Sequence, residues 1–350
     1  MQPIKVILLK DHRPGHYHVS EGVVAALRRV AEVECTHVEI HRRKLAPNRF
    51  MRSLLKRGVS PARLIRLGYG IKPGTLPKAD LIVSSGGETL VANIALAKLM
   101  NAENIFCGSL RKIPPTSFSL VLTSYDRLAG EPRHAIVLKP NTMDADALGR
   151  GGVLPELSAE NPPKRAGCLI GGNSGMFTFS EDEWRELARK MKAISDAFGT
   201  RWQISTSRRT GDMAGDIFKE FSKDKTCVEE FIDYRNAGPG TLPDILRRAD
   251  AILCTADSSS MVSEAVSARQ PVIGVRPQIY NYKSEEADYL DFMTARGWCR
   301  FMDLNALAPE SFMRALDEIR PMDHNHLDVL ADVLKEKLPD LFKAAEKPSS

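Results

Sequence analysis

The sequence predicts an α/β protein made of two doubly wound halves, each a parallel sheet flanked by helices. Three observations carry this. Short apolar strands alternate with longer amphipathic stretches along the chain, the pattern of βαβ units. A segment rich in Pro, Gly and polar residues, without period, separates two such series at residues 146–165. The chain has 350 residues, enough for two domains that each bury a core.

In the first half, Ile4–Leu9 is an apolar run broken only by Lys5, and helical spacing follows over Val19–Val30. Leu81–Ser84 reads as a buried strand, followed by Gly86-Gly87 and a helix over Leu90–Met100. Ile105–Cys107, Leu120–Thr123 and Ala135–Leu138 complete this set. The second series opens with the strand Cys168–Ile170 and the helix Glu181–Phe198, whose Trp184, Leu187, Ala188, Met191 and Ile194 share one face. Strands follow at Trp202–Ser205, Cys227–Phe231, Ala251–Thr255 and Pro271–Val275. Helices fall over Ala214–Phe221, Leu242–Arg248, Met261–Ser267 and, at the end of the chain, His324–Lys343. The expected domains are 1–145, with a basic segment at 41–67, then a linker at 146–165, a second domain at 166–320, and a C-terminal helix and tail at 321–350. Two such halves predict a central cleft as the ligand site, with the informative residues just after the strands.

Composition narrows the class. No apolar run reaches 18 residues, so a transmembrane helix is not expected. The N-terminus has no small-residue cleavage site and reads as a first strand rather than a signal peptide. Six scattered cysteines without a CxxC pair suit a reduced cytoplasm. Between Glu39 and Asp80 stand eleven Lys/Arg and no acidic residue. Residues 41–67 interleave these cations with Leu45, Phe50, Met51, Leu54, Leu55, Leu64 and Ile65. That pattern suits a surface lying on anionic lipid, with Arg52, Lys56 and Arg57 facing the membrane. The alternative is a helical hairpin packed by its apolar face, its cations merely solvated. The expected location is therefore the cytoplasm, peripheral on the inner face of the membrane. Few aromatics are available for base stacking, so no nucleic-acid partner is expected.

Five turns can carry chemistry. Gly171-Gly172-Asn173-Ser174-Gly175 follows a strand, where backbone N–H groups can approach a phosphate; the alternative is a tight turn needing Gly only for its dihedrals. Asp257-Ser258-Ser259-Ser260 precedes a helix that the serines can cap while offering free amides to a diphosphate. Glu264, about one turn on, can accept from two ribose hydroxyls or simply be solvated. Asp11-His12-Arg13-Pro14-Gly15-His16-Tyr17-His18 reads as a polar loop whose histidines suit acid/base work; no partner cluster supports a metal site. Ser84-Ser85-Gly86-Gly87-Glu88-Thr89 is the equivalent turn of the first half. Arg208 and Arg209, in Thr206-Ser207-Arg208-Arg209-Thr210, can pair with phosphate or lie solvated.

Taken in order, these turns resemble the GT-B glycosyltransferase/epimerase superfamily, with two Rossmann-like domains. The nearest resemblance is to the bacterial branch of the "elongated mitochondria" fission-factor family, over residues 4–320. Its most specific piece is Ser263-Glu264-Ala265 followed by Gln270-Pro271-Val272-Ile273. The resemblance implies that Glu264 holds the nucleotide ribose and that Gly171 to Gly175, Arg208, Arg209 and Ser258 to Ser260 meet the diphosphate. It also implies an acceptor side at Gly15, Gly86, Gly87 and Glu88, with His16 and Asp11 as catalytic candidates. The implied activity is an inverting transfer from a nucleoside-diphosphate sugar, bound as substrate and not as a resident cofactor, to a membrane or lipid-linked acceptor. A non-hydrolysing nucleotide-sugar epimerase and a non-catalytic membrane-surface recruitment protein are the alternatives, the latter being the role that eukaryotic members of the family resemble.

Overall fold

The structure, a computed structural model, describes residues 2–152, 154 and 156–346. It contains two compact units. One runs to Thr142 and resumes at His326; the other covers Met143–Asn325.

The first unit is built from β1 (Ile4–Lys10), α1 (Pro14–Leu27), β2 (Val33–Glu39), α2 (Asn48–Lys56), α3 (Pro61–Tyr69), β3 (Leu81–Ser85), α4 (Leu90–Met100), β4 (Glu103–Cys107), β5 (Leu120–Thr123) and β6 (His134–Ile136). Its sheet has the order β2-β1-β3-β4-β5-β6, with every pairing parallel. Ile4, Val6, Ile7, Leu8 and Leu9 are all buried, as a central parallel strand covered on both faces requires. The chain order reverses beside β1, which has β2 on one side and β3 on the other. Open α/β sheets bind ligands at such a switch point, beyond the carboxyl ends of the strands. Here those ends carry Asp11 and Gly86-Gly87.

One expectation is corrected at this edge. The Asp11–His18 segment, read as a polar loop, is mostly helix: α1 begins at Pro14, not near Val19. Proline suits the first helical position, where its missing N–H is unpaired in any helix. The basic segment also resolves. Met51 of α2 and Leu64 and Ile65 of α3 are fully buried, so a helical hairpin packs by its apolar face. A Cβ on Gly68 would fall 2.3 Å from Met51 Cε, which shows how closely the two helices approach.

The second unit contains β7 (Arg165–Leu169), β8 (Phe177–Thr178), α5 (Glu181–Phe198), β9 (Arg201–Ser205), α6 (Gly211–Phe221), β10 (Val228–Ile232), α7 (Tyr234–Ala237), α8 (Leu242–Arg248), β11 (Ala251–Thr255), α9 (Ser259–Ser267), β12 (Val272–Arg276), β13 (Ile279–Tyr280), α10 (Ser284–Ala295), β14 (Cys299–Asp303) and α11 (Pro309–Glu318). Its parallel sheet has the order β10-β9-β7-β11-β12-β14, and β8 pairs with β13 antiparallel beside it. The order again reverses next to the first strand of the unit, between β7 and β11. The core is aromatic: Trp184 stacks on Phe179, and buried Trp202 donates its indole N–H to the Met191 carbonyl at 2.9 Å. Among the described residues of 146–165 no helix precedes β7, and the stretch is tied to this unit. The Arg150 guanidinium donates to the carbonyls of Ala268, Ala249 and Arg269.

The final helical stretch is two helices, α12 (His326–Lys337) and α13 (Pro339–Glu346), broken where Pro339 cannot continue the first. They pack on the first unit, not the second: Leu327, Leu330, Ala331 and Leu334 join the core of Val19, Val23 and Leu27. Arg29 Nε pairs with Asp328 at 2.9 Å on the same face.

Candidate functional site

In the first unit the three histidines of the Asp11–His18 segment go to three different carboxylates. His12 Nδ1 is 3.6 Å from Glu88, His18 Nδ1 is 2.9 Å from Glu21, and His16 Nδ1 is 2.6 Å from Asp11 Oδ2. The Asp11 side chain is fully buried, and its other oxygen accepts the Arg13 N–H at 3.0 Å. A carboxylate only accepts, so in the neutral ring the pairing puts the His16 proton on Nδ1 and leaves the lone pair on Nε2. Nε2 has no partner among the described residues. The Gly86 turn leaves room for this ring, since a Cβ there would fall 2.1 Å from His16 Nδ1. Sequence thus named Asp11, His16 and Gly86 separately, and the fold brings them together.

The other acceptor-side candidates are less open. Glu88 faces His12 and also Arg42, 3.8 Å away. Arg111 fills the space beside Gly87, where a Cβ would meet its Nε at 2.8 Å. Gly15 has open space around it. Arg52, expected to face outward, is half-buried and donates to the Arg111 carbonyl at 3.0 Å, whereas Lys56 and Arg57 are exposed. Arg111 was not singled out from the sequence, and its signal is purely spatial.

The second unit revises the Gly-rich turn. The N–H groups of Gly171 and Gly172 are not open: they donate to Thr255 Oγ1 at 2.7 Å and to Asp257 Oδ2 at 3.0 Å. The Asn173 side chain braces the backbone of Phe179, and Ser174 closes a turn onto Phe177 and Met176. No helix follows directly. The next one, α5, closes its own N-terminus with a capping box of Ser180 and Glu183. Arg209 turns inward, with Nη2 2.8 Å from Asp257 Oδ2, while Arg208 is exposed and has no partner among the described residues.

The serine turn differs as well. Ser258 is the N-cap of α9, but its hydroxyl makes no capping hydrogen bond. Ser260 is exposed. Glu264, the sixth residue of α9, is half-buried with no side-chain partner among the described residues, and burial pushes its carboxyl up to about 7. Asp257 is also raised by burial, against the pull of the Arg209 cation.

Both clusters therefore sit at the switch point of their own sheet: Asp11, His16 and Gly86 in one, Gly171, Gly172 and Asp257 in the other. A family profile described as "Mitochondrial fission ELM1" matches residues 14–332. The chain belongs to the mitochondrial fission ELM1 family. Solved structures similar to this ELM1-family chain include the MnaA–UDP co-structure of S. aureus, 12% identical with a TM-score of 0.53, covering 99% of each chain. The UDP-GlcNAc 2-epimerase from Methanocaldococcus jannaschii is 12% identical at a TM-score of 0.54, covering 95% of this chain and 99% of that one. MurG of Acinetobacter baumannii is 12% identical at 0.51, covering 95% and 100%. The shared feature is the GT-B fold, two Rossmann-like parallel-sheet units. A curated relative, "Uncharacterized protein RP120" of Rickettsia prowazekii (strain Madrid E), is 33% identical over 116 residues. That match covers 32% of the ELM1-family chain and 32% of the relative.

Among the described residues no group of three or more His, Cys, Asp or Glu is placed to hold one metal ion. No described helix is long and apolar enough to cross a membrane.

Proposed function

We propose that this ELM1-family protein is a nucleotide-sugar-dependent, inverting glycosyltransferase acting on a membrane or lipid-linked acceptor. The observation that carries the reading is Glu264, a carboxylate that the fold half-buries and leaves without a partner. Such a group costs free energy in the empty protein, and two vicinal ribose hydroxyls supply the donors it lacks. In this reading Ser258 and Ser260 at the start of α9 and the Arg208–Arg209 turn meet the diphosphate, where helix amides and guanidinium N–H groups favour negative charge.

His16 is the base. Its Nε2 takes the proton of an acceptor hydroxyl as that oxygen bonds to the anomeric carbon; the bond to the diphosphate oxygen breaks and the nucleoside diphosphate leaves with its electron pair. Asp11 fixes the tautomer and stabilises the imidazolium that forms. Positive charge at Arg208 and Arg209 stabilises the leaving group. An epimerase fits less well, because it needs carboxylates ready for proton transfer besides Glu264, which this reading gives to the ribose. Asp11 is engaged by His16 and the Arg13 amide, and Glu88 lies against His12 and Arg42.

A thermal-shift panel of UDP, GDP, CDP and dTDP with their sugars, on wild type and Glu264→Ala, tests this. One nucleotide should stabilise the wild type, by about 2.7 kcal/mol at a hundredfold excess over Kd, and Glu264→Ala should respond far less. No response to any nucleotide at millimolar concentration removes the enzyme reading and leaves a surface-binding role. An equal response in Glu264→Ala removes the ribose assignment alone.

A further inference from the structure

Three turns of the second unit converge on one buried side chain. Asp257 follows β11, and its side chain has no exposed surface. Oδ2 accepts the Gly172 N–H at 3.0 Å and the Arg209 guanidinium at 2.8 Å, while the Asp257 carbonyl accepts the same guanidinium at 3.3 Å. Oδ1 is buried with no hydrogen-bond partner among the described residues. The space is set by absent side chains: a Cβ on Gly171 would lie 2.2 Å from Asp257 Oδ2, and one on Gly172 would lie 2.1 Å from the Arg209 carbonyl. Ser207 and Thr210 hydroxyls donate to the Gly171 carbonyl at 2.7 and 2.8 Å, which fastens the arginine turn to the glycine turn.

An ion pair with one buried member is a poor source of stability, since desolvating that charge offsets much of the attraction. It does fix geometry. Both contacts to Asp257 use Nη2; Nη1 and Nε of the planar fork have no partner among the described residues, and the side chain is 37% exposed. We propose that Asp257 is a positioning residue that presents the outer edge of Arg209 to the diphosphate of a bound nucleotide. The Gly171-Gly172 turn is the socket for Asp257 in this arrangement, not the phosphate donor. An Arg held in advance loses less rotamer freedom when the anion arrives. The proposal rests on the nucleotide reading above.

The test compares UDP with uridine, by calorimetry or ligand-observed NMR, on the full chain and on Arg209→Ala, Asp257→Asn and the double variant. Each single variant should lower UDP affinity about tenfold, and the double variant should fall no further, because both remove one coupled contact. Uridine affinity should not move, since it has no phosphate. A merely structural role for Asp257 would weaken both ligands alike, and that outcome overturns the proposal. So does a wild-type UDP-to-uridine ratio in Asp257→Asn, or in the surface variant Arg209→Ala should Asp257→Asn fail to fold. Arg209→Lys, which keeps the charge but not the fork, should fall between. A wild type that binds neither ligand overturns the nucleotide reading itself, and this proposal with it.

Discussion

His16 Nδ1 lies 2.6 Å from Asp11 Oδ2, across the first turn of a helix, with the aspartate side chain fully buried and the histidine reaching solvent. The arrangement orients an imidazole and leaves its outer nitrogen open. With the donor found by the nucleotide panel, His16→Ala should lower kcat by about 10²–10⁴ and leave donor affinity unchanged. Asp11→Asn should lower kcat by less, because Asn can still accept from Nδ1–H but stabilises the imidazolium poorly. Steady-state kinetics check both. An unchanged kcat in His16→Ala would assign the base elsewhere.

Gly86 and Gly15 flank this pair and should respond oppositely. Gly86 has φ of +88°, and a Cβ there would strike the His16 ring. Gly86→Ala should destabilise by about 1–3 kcal/mol from backbone strain alone. Gly15 lies in the first turn of α1 with nothing near its Cβ position. Gly15→Ala should stabilise by about 0.4–1 kcal/mol, chiefly by restricting the unfolded chain. Urea denaturation of the two variants decides; similar losses in both would mean that Gly15 is also sterically required.

Glu264 makes stability depend on pH. Burial raises its carboxyl from an ordinary 4.5 to about 7, so the folded state holds this proton more tightly than the unfolded state. The folded state is therefore favoured at low pH, and that advantage is lost as pH climbs from about 4.5 to about 7. The full difference is at most roughly 3.5 kcal/mol, at about 1.4 kcal/mol per pKa unit. Glu264→Gln cannot ionise. It should match the wild type near pH 4.5, exceed it increasingly up to about pH 7 and keep a constant advantage above that, in melting temperature measured across that range. A constant offset at all pH values would mean that the ionisation carries no cost.

What the sequence disclosed and what it hid divide along locality. The turns at Asp11, Gly86, Gly171, Arg208 and Asp257 were legible because strand ends mark themselves with Gly, Ser and charged residues. Their partners were not. Gly172 and Asp257 stand 85 positions apart, and nothing in either segment states that an amide of one fills a carboxylate of the other. Pro14-Gly15 reads as a turn, yet the same residues suit the first helical positions. The strands β2 (VECTHVE) and β14 (CRFMD) escaped notice because edge strands carry charged residues facing water. The apolar stripe of α12 was visible, but not that it covers the first unit.

The α2–α3 hairpin yields the last prediction. Its buried residues satisfy the packing reading, but Leu45 is 95% exposed, Phe50 48% and Leu67 54%. Lys44, Arg49, Lys56, Arg57, Arg63 and Arg66 have no acidic partner among the described residues. Arg49 and Lys56 share one face of α2, and Phe50 and Arg57 the face beside it, because residues seven apart lie two turns apart. A face that is both cationic and apolar suits an anionic bilayer. Lys56→Ala with Arg57→Ala should weaken binding to vesicles containing phosphatidylglycerol by about 2 kcal/mol, roughly thirtyfold, at about 1 kcal/mol per cation. Leu45→Ser should weaken it further without altering the melting temperature, since that side chain packs on nothing. Arg52→Ala should destabilise the fold, because its guanidinium holds the Arg111 carbonyl. Vesicle flotation at low and high salt reads the result. Binding that survives both the double variant and high salt would show that the cations merely solvate this hairpin.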